Sequence, residues 1–172
     1  MRSQRVSVFV LVALTVLVGG CGGAGSAKPG SKIAAMKLVR GTTFQADLKF
    51  FDLCNPIIVK PGEYRRSCRV PGVRRLFIGY GTFEPTKRRL EREWKQTRWD
   101  LWVDGDRVDL PAFGTSDRTL FAFPPAGGHD VILREWEVIL TNPTPGEHEL
   151  RYRSRHGSGA TTSATWAFVV ER

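Results

Sequence analysis

Several segments of this chain alternate apolar and polar residues with a period of two, and that period limits the fold more than any other feature. In the stretch 147–153, His148, Leu150 and Tyr152 share one side while Glu147, Glu149, Arg151 and Arg153 share the other. Trp166, Phe168 and Val170 alternate near the end of the chain, and Trp136, Val138 and Leu140 do so upstream, opposite Glu135 and Glu137. Successive side chains of a strand point to opposite faces, so each segment reads as a strand with one buried face. Phe44-Gln45-Ala46-Asp47-Leu48-Lys49-Phe50 has the same pattern and is expected to be another.

The segments between are bounded by turn residues. Trp99, Leu101 and Val103 lie on one face of a strand that runs into Asp104-Gly105, a pair that favours a tight primed turn, so 99–110 is expected to be a hairpin. Ile57-Ile58-Val59 stands between Asn55-Pro56 and Pro61-Gly62 as a short strand. Leu76 to Phe83 reads as a central strand whose glycines, Gly79 and Gly81, suggest a bulge or a close backbone approach. One segment departs from the period. In 84–96, Leu90 and Trp94 are four apart, Glu91 and Lys95 form a favourable i, i+4 pair, and Pro85 suits a first turn, so a short surface helix is expected there. The residues from Asp117 to His129 read as a long loop.

Beyond residue 32 about 140 residues remain, enough for one domain with its own core. Strands punctuated by Pro and Gly place the chain in the all-β class, as an antiparallel sandwich of about seven strands with one short helix.

The first residues have another character. Arg2 and Arg5 precede a 13-residue apolar run, Val6 to Val18, followed by small residues. That run is too short for a ~30 Å hydrocarbon core, which takes about 20 residues as a helix, so it is read as an export signal. Leu17-Val18-Gly19-Gly20-Cys21 resembles the lipobox of bacterial lipoproteins. The resemblance implies cleavage after residue 20, a lipid on Cys21 and, through acyl chains such as palmitate, attachment to the outer face of the cell membrane. Two or more chains hold a protein there, where one would not. Cleavage would remove two arginines and lower the formal charge from +9 to +7. Residues 22–32 (GGAGSAKPGSK) read as a flexible tether with an r.m.s. span of roughly 17–20 Å. The expected division is therefore 1–20 signal peptide, 21–32 lipidated cysteine and tether, and 33–172 sandwich domain.

Outside the cytoplasm the two remaining cysteines, Cys54 and Cys68, are read as a disulfide, which would contribute about 3 kcal/mol by restricting the unfolded chain. The plainer alternative is a pair of reduced, buried thiols. Trp136-Glu137-Val138 followed by Pro145-Gly146-Glu147-His148-Glu149-Leu150-Arg151-Tyr152 resembles the penultimate strands of bacterial immunoglobulin-like modules, over about the last 40 residues. That resemblance implies an immunoglobulin-like architecture but not the inter-sheet disulfide of antibody domains, since Cys54 and Cys68 stand too close together.

Residues that could carry chemistry are few. Asp104, Asp106 and Asp109 could ligate calcium, but they lack the spacing of an EF-hand, and turn chemistry already explains Asp104. His148 falls on an inward face; His129 and His156 fall in loops. The chain has no G-x-S-x-G, H-E-x-x-H or phosphate-binding glycine loop. No cofactor, metal or catalytic residue is expected, and an envelope hydrolase built from loop residues such as His129 and Asp117 stands as the alternative. Between Lys60 and Arg98, twelve Lys and Arg face four Glu, a segment of charge +8. Arg65, Arg66, Arg74, Arg75, Arg88 and Arg89 are its candidate contacts for an anionic envelope polymer or an acidic protein. A solvated, solubilising surface is the plainer reading. Trp102, opposite Leu101, is the one tryptophan placed for an exposed platform. The compartment, and not the charge, argues against nucleic acid. The expected function is thus a non-catalytic binding module at the cell envelope, with a passive structural spacer as a further alternative.

Overall fold

The computed structural model describes residues 25–54 and 60–172. The signal peptide, Cys21 and the strand expected at Ile57–Val59 lie outside the described residues. The strands are β1 (Lys32–Ile33), β2 (Met36–Arg40), β3 (Leu48–Lys49), β4 (Gly62–Val70), β5 (Arg75–Phe77), β6 (Gly81–Glu84) and β7 (Arg98–Val103). They continue as β8 (Asp106–Val108), β9 (Thr115–Phe123), β10 (His129–Trp136), β11 (Val138–Thr141), β12 (Gly146–Arg155) and β13 (Thr161–Val170). Three helices interrupt them: α1 (Phe50–Leu53), α2 (Lys87–Gln96) and α3 (Leu110–Phe113).

The chain is all-β, as the alternation requires, but the described residues form thirteen strands in three sheets instead of about seven. A large sheet runs β4-β13-β12-β7-β8, a second five-stranded sheet runs β1-β2-β11-β5-β3, and a small one runs β6-β10-β9. Pairing is antiparallel except between β4 and β13 and between β3 and β5, which are parallel. Parallel neighbours need a long connection, and the 90 residues between β4 and β13 supply one. Leu101, Leu150, Tyr152, Trp166 and Phe168 of the large sheet share one apolar core with Met36, Leu38, Leu76, Val138 and Leu140 of the second.

The extra strands arise where long segments break and change sheets. Leu76–Phe83 is not one strand: β5 joins the second sheet and β6 the small one. The break falls at Ile78–Tyr80, where the Ile78 amide donates to Val138 and the Trp136 amide to the Tyr80 carbonyl. Gly79 and Gly81 meet the expectation of close approach: a Cβ on Gly79 would lie 1.9 Å from the Trp136 carbonyl oxygen, and one on Gly81 1.7 Å from that of Arg134. The opposite segment breaks too, between β10 and β11 at Glu137. This corrects the outward placement of Glu135 and Glu137. Both are buried, because each side of the crossing meets protein, and each takes an arginine: Glu137 accepts from Arg40 Nε at 2.6 Å and Glu135 from Arg118 Nε at 3.1 Å.

Three further expectations are corrected. Phe44–Phe50 is not one strand: only Leu48–Lys49 pairs, as β3, because a 3₁₀ turn at Thr43–Gln45 is held by the Thr42 amide on Gln45 Oε1 (3.0 Å), leaving Phe44 90% exposed, while α1 turns Phe50 into the core. Asp117–His129 is no loop but most of the β9–β10 hairpin, turned at Pro124–Ala126 with Gly127 and Gly128 at positive φ. The tether ends earlier than residue 32, since Ala27 bridges to Val108 and exchanges backbone hydrogen bonds with Arg107 and Asp109. The 99–110 hairpin forms as expected, Asp104 and Gly105 both at positive φ. Helix α2 starts later than expected, capped by Thr86, with Pro85 ahead of the cap. Its Leu90 is buried and its Trp94 packs on Trp99 and Trp136.

Candidate functional site

Because the central strands β7, β12 and β13 of the large sheet bury one face, the other faces away from the core, and register decides which polar residues meet there. Arg65 on β4 pairs with Thr165 on β13, Thr165 with Arg151 on β12, Arg151 with Trp102 on β7, and Trp102 with Arg107 on β8. Directly paired residues point the same way, so these five form one straight row across the sheet. The adjacent row is Glu63, Ser163, Arg153 and Asp100, and a third holds Thr161, Arg155 and Arg98.

Asp100 is the anchor of this surface. Its residue is 7% exposed. Arg153 reaches it from Nε and Nη2 at 3.1 and 2.9 Å, Arg107 from Nη2 at 2.7 Å, and Arg155 stands 3.9 Å away. Burial works to raise the Asp100 carboxyl, but the hydrogen bonds from Arg153 and Arg107 outweigh it and hold the group below the usual carboxylate range. One carboxylate therefore serves three guanidinium groups, and the surroundings stay cationic. Arg151 is different. Its guanidinium lies 4.2 Å from the Trp102 ring centre, and that of Arg153 lies 5.1 Å from it. Among the described residues Arg151 has no carboxylate partner, and its Nε is buried without a hydrogen bond. Stacking on an aromatic face compensates part of that cost.

The residues singled out from the sequence disperse over the fold. Arg65 belongs to the row, whereas Arg66, the next residue on the same strand, points to the other face. Arg74 and Arg75 lie at the second sheet, their amides held by Asp47 Oδ2 at 3.0 and 2.9 Å. Arg88 and Arg89 are exposed on α2, Arg89 paired with Glu84 at 2.9 Å. The twelve cations of 60–98 thus do not make one surface. Trp102 is half-buried and faces outward, but with arginine side chains against its ring in place of open solvent. Arg107, Arg151, Arg153 and Arg155 were not among the candidates. The signal for three of them was present, since they are the polar side of the β12 alternation. Cys54 and Cys68 are bonded, Cα to Cα 5.4 Å.

The other titratable groups are held by neighbours. His148 Nδ1 lies 2.7 Å from Asp104 Oδ2, and its Nε2 lies 2.8 Å from the Thr144 carbonyl, while Asp104 Oδ1 accepts from the Glu149 amide. His156 Nδ1 lies 2.6 Å from Glu93 Oε1. Asp117 takes Arg134 Nε at 2.5 Å and also Lys87, which together, against burial, hold its carboxyl at about 2. His129 stands at the far end of the hairpin, five residues along β10 from Arg134, the partner of Asp117. At ~3.3 Å per residue that is about 17 Å, too far for a proton relay.

A cleft of about 220 Å³ opens between the small sheet and α1, with Phe83, Phe123, Leu133 and Glu135 among its walls. Burial raises the Glu135 carboxyl, partly offset by Arg118. Burial also pushes the Tyr80 phenol up to about 12 and raises that of Tyr152, whose hydroxyl donates to the Ile78 carbonyl at 2.5 Å. The Tyr152–Ile78 bond ties the large sheet to the segment where the chain crosses from β5 to β6, and Arg40 of β2 reaches Glu137 at the crossing from β10 to β11, whereas Arg118 and Glu135 pair within the small sheet. Among the described residues no helix is long and apolar enough to cross a membrane.

No family model matches this chain, and no curated protein matches it. Among solved structures, a chain in the structure of PbICP-C in complex with falcipain-2 aligns with it at a TM-score of 0.35 and 11% identity, over 72% of this chain and 97% of that one. A likeness this weak assigns neither fold family nor activity.

Proposed function

We propose that this chain is an exported, lipid-anchored, non-catalytic binding module of the bacterial cell envelope, with Cys21 as the lipidated residue. It engages an anionic envelope component through the outward face of the large sheet. The observation that carries this reading is the unpaired, Trp102-stacked guanidinium of Arg151 amid the Asp100-anchored arginines, a largely organised cationic surface. Arginine planes of this kind match carboxylates and phosphates, and the rigid stack lowers the ordering cost of contact. The hydrolase alternative is weakened by the distance between His129 and Asp117 and by the two cations already on Asp117. The finer architecture we read as an enlarged immunoglobulin-like sandwich, supported by the β7-β12-β13 antiparallel set facing β2-β11-β5 across one core.

Two measurements test this reading. Expressed in a bacterium that processes lipoproteins, the wild-type chain is expected in the detergent-rich phase of a temperature-induced phase partition, and Cys21→Ser in the aqueous phase. The detergent-purified chain is expected to bind an immobilised polyanion and to elute earlier as salt rises, as the ~8 Å screening length at 0.15 M requires. Equal retention of wild type and Arg65→Gln/Arg151→Gln, or no retention of either, would refute the assigned surface.

A further inference from the structure

The cleft between the small sheet and α1 has a chemistry that the arginine face lacks. Aromatic rings line it on both sides: Phe83 of β6 and Phe123 of β9 pack edge to face at 4.9 Å, and Phe51 of α1 tilts against Tyr80 at 5.2 Å. All four residues are half-buried, so part of their apolar surface is left uncovered. Two carboxylates line the same space. The Glu135 side chain is 7% exposed; its Oε1 accepts from Arg118 Nε, while its Oε2 takes no hydrogen bond among the described residues. Asp52, exposed on α1, is without a hydrogen bond or ion pair among the described residues. Arg118 is the one cation among the described residues of the lining, so two carboxylates against one guanidinium leave one formal negative charge. Burial raises the Glu135 carboxyl more than Arg118, and after it Lys49, lower it, and Asp52 raises it further. The pairing with Arg118 thus does not make good what burial costs.

We propose that this cleft binds a compact organic cation, an ammonium group bearing methyl or other small apolar substituents, with its charge toward Glu135 and Asp52 and its substituents against Phe51, Phe83 and Phe123. Aromatic faces attract cations within about 6 Å of the ring centre, and quaternary ammonium groups are the ligands that such walls suit best. An apolar cavity of about 150 Å³ takes a benzene ring, so one of about 220 Å³ holds a group of roughly seven to ten non-hydrogen atoms. An anion is disfavoured, because Arg118 is already bonded to Glu135 and Asp52 adds a second negative charge. A metal ion is disfavoured, because no group of three His, Cys, Asp or Glu among the described residues is placed to hold one. A neutral apolar ligand would cover the rings but leave the cost of the buried Glu135 charge unrelieved.

The test is a saturation-transfer NMR titration of the full-length chain in a non-ionic maltoside, at about 0.15 M salt so that exposed charges are largely screened. Three probes share one shape: choline, its uncharged carbon isostere tert-butylethanol, and the carboxylate tert-butylacetate. Choline is expected to half-saturate the chain at roughly a millimolar and to bind at least about tenfold more tightly than the isostere, with the carboxylate weakest. Asp52→Asn, at an exposed position, is expected to weaken choline binding about threefold, and Phe123→Leu, which keeps apolar bulk without the ring, about threefold or more. Glu135→Gln is expected to weaken it about tenfold. Should Glu135→Gln fail to fold, as judged by circular dichroism, Asp52→Asn and Phe123→Leu decide alone. Equal binding of choline and its isostere overturns the cation preference and with it the proposal. Preference for the carboxylate overturns it in favour of recognition by Arg118. Absence of saturable choline binding, or an affinity that none of the variants moves, overturns the site. The anion-binding face on the large sheet stands or falls separately from each of these results.

Discussion

Placing a methyl group on Gly81 is expected to open the joint between two sheets. Gly81 begins β6 and pairs with Glu135 on β10, and its ideal Cβ would stand 1.7 Å from the Arg134 carbonyl oxygen and 2.8 Å from the Glu135 Cα. Both obstacles are backbone of a paired strand, so no side-chain rotation relieves the contact. The β6–β10 ladder must separate by more than an ångström locally. Overpacking of this kind costs about 1–3 kcal/mol, and a ladder hydrogen bond left unmade beside the buried Glu135 adds about 1–3 kcal/mol. A loss of about 3–4 kcal/mol is the central expectation, a large part of the 5–15 kcal/mol that holds a domain together. With a urea m-value of about 2 kcal/mol/M, Gly81→Ala should lower the unfolding midpoint by about 1.5–2 M. Gly25→Ala is the control, since no atom lies within 4 Å of its Cβ position. Equilibrium urea unfolding followed by tryptophan fluorescence reads both. A shift below about 0.5 M for Gly81→Ala, with an unchanged m-value, would show that the ladder yields cheaply and that close approach is not what selects glycine here.

Two further outcomes follow from buried groups. Tyr80, raised to about 12, and Tyr152, raised as well, stay protonated in the fold while the unfolded chain ionises them near 10. Their contribution is therefore full below about pH 10 and is lost as pH rises toward 12, at most about 2–3 kcal/mol for Tyr80. Tyrosinate absorbance at 295 nm should rise together with loss of β-sheet dichroism, and ionisation of all three tyrosines in a still-folded chain would contradict the burial. Removing the Cys54–Cys68 bond through paired Ser substitutions is expected to cost about 3 kcal/mol, or roughly 6–12 °C in thermal midpoint. A midpoint shift under about 2 °C in calorimetry would mean that the unfolded chain is already restricted without it.

What the sequence made legible was local. The period-two segments at 147–153 and 166–170 became β12 and β13 with the expected faces, and Asp104-Gly105 made its turn, because alternation and turn chemistry depend only on near neighbours. The breaks at Ile78–Tyr80 and Glu137 were not legible, although the glycines beside the first gave a hint. Glu135 and Glu137 look like the wet side of a strand until Arg118 and Arg40 arrive from β9 and β2 to pair with them. The alternation at 44–50 misled for the opposite reason. Its pattern suits a strand, yet the bond between the Thr42 amide and the Gln45 side chain, and the pull of Phe50 toward Trp166 and Phe168, bend it out of one.

The same distinction separates the basic segment from the basic surface. A cluster counted along the chain between residues 60 and 98 contains Arg65 and Arg66, which strand geometry then sends to opposite faces, and Arg74, Arg75, Arg88 and Arg89, which other elements carry away. The row that remains draws Arg65, Arg107 and Arg151 from three strands far apart in sequence, and no charge count finds it. Pairing register does, because each strand contributes one residue to each row and a slip of one residue would turn its arginine inward. The face is thus as strongly specified as the core beneath it: burying Tyr152 and Trp166 on one side is what obliges Arg151 and Thr165 to stand in line on the other. A slip of one residue in β12 would therefore lose the burial of Tyr152 and the outward placement of Arg151 together.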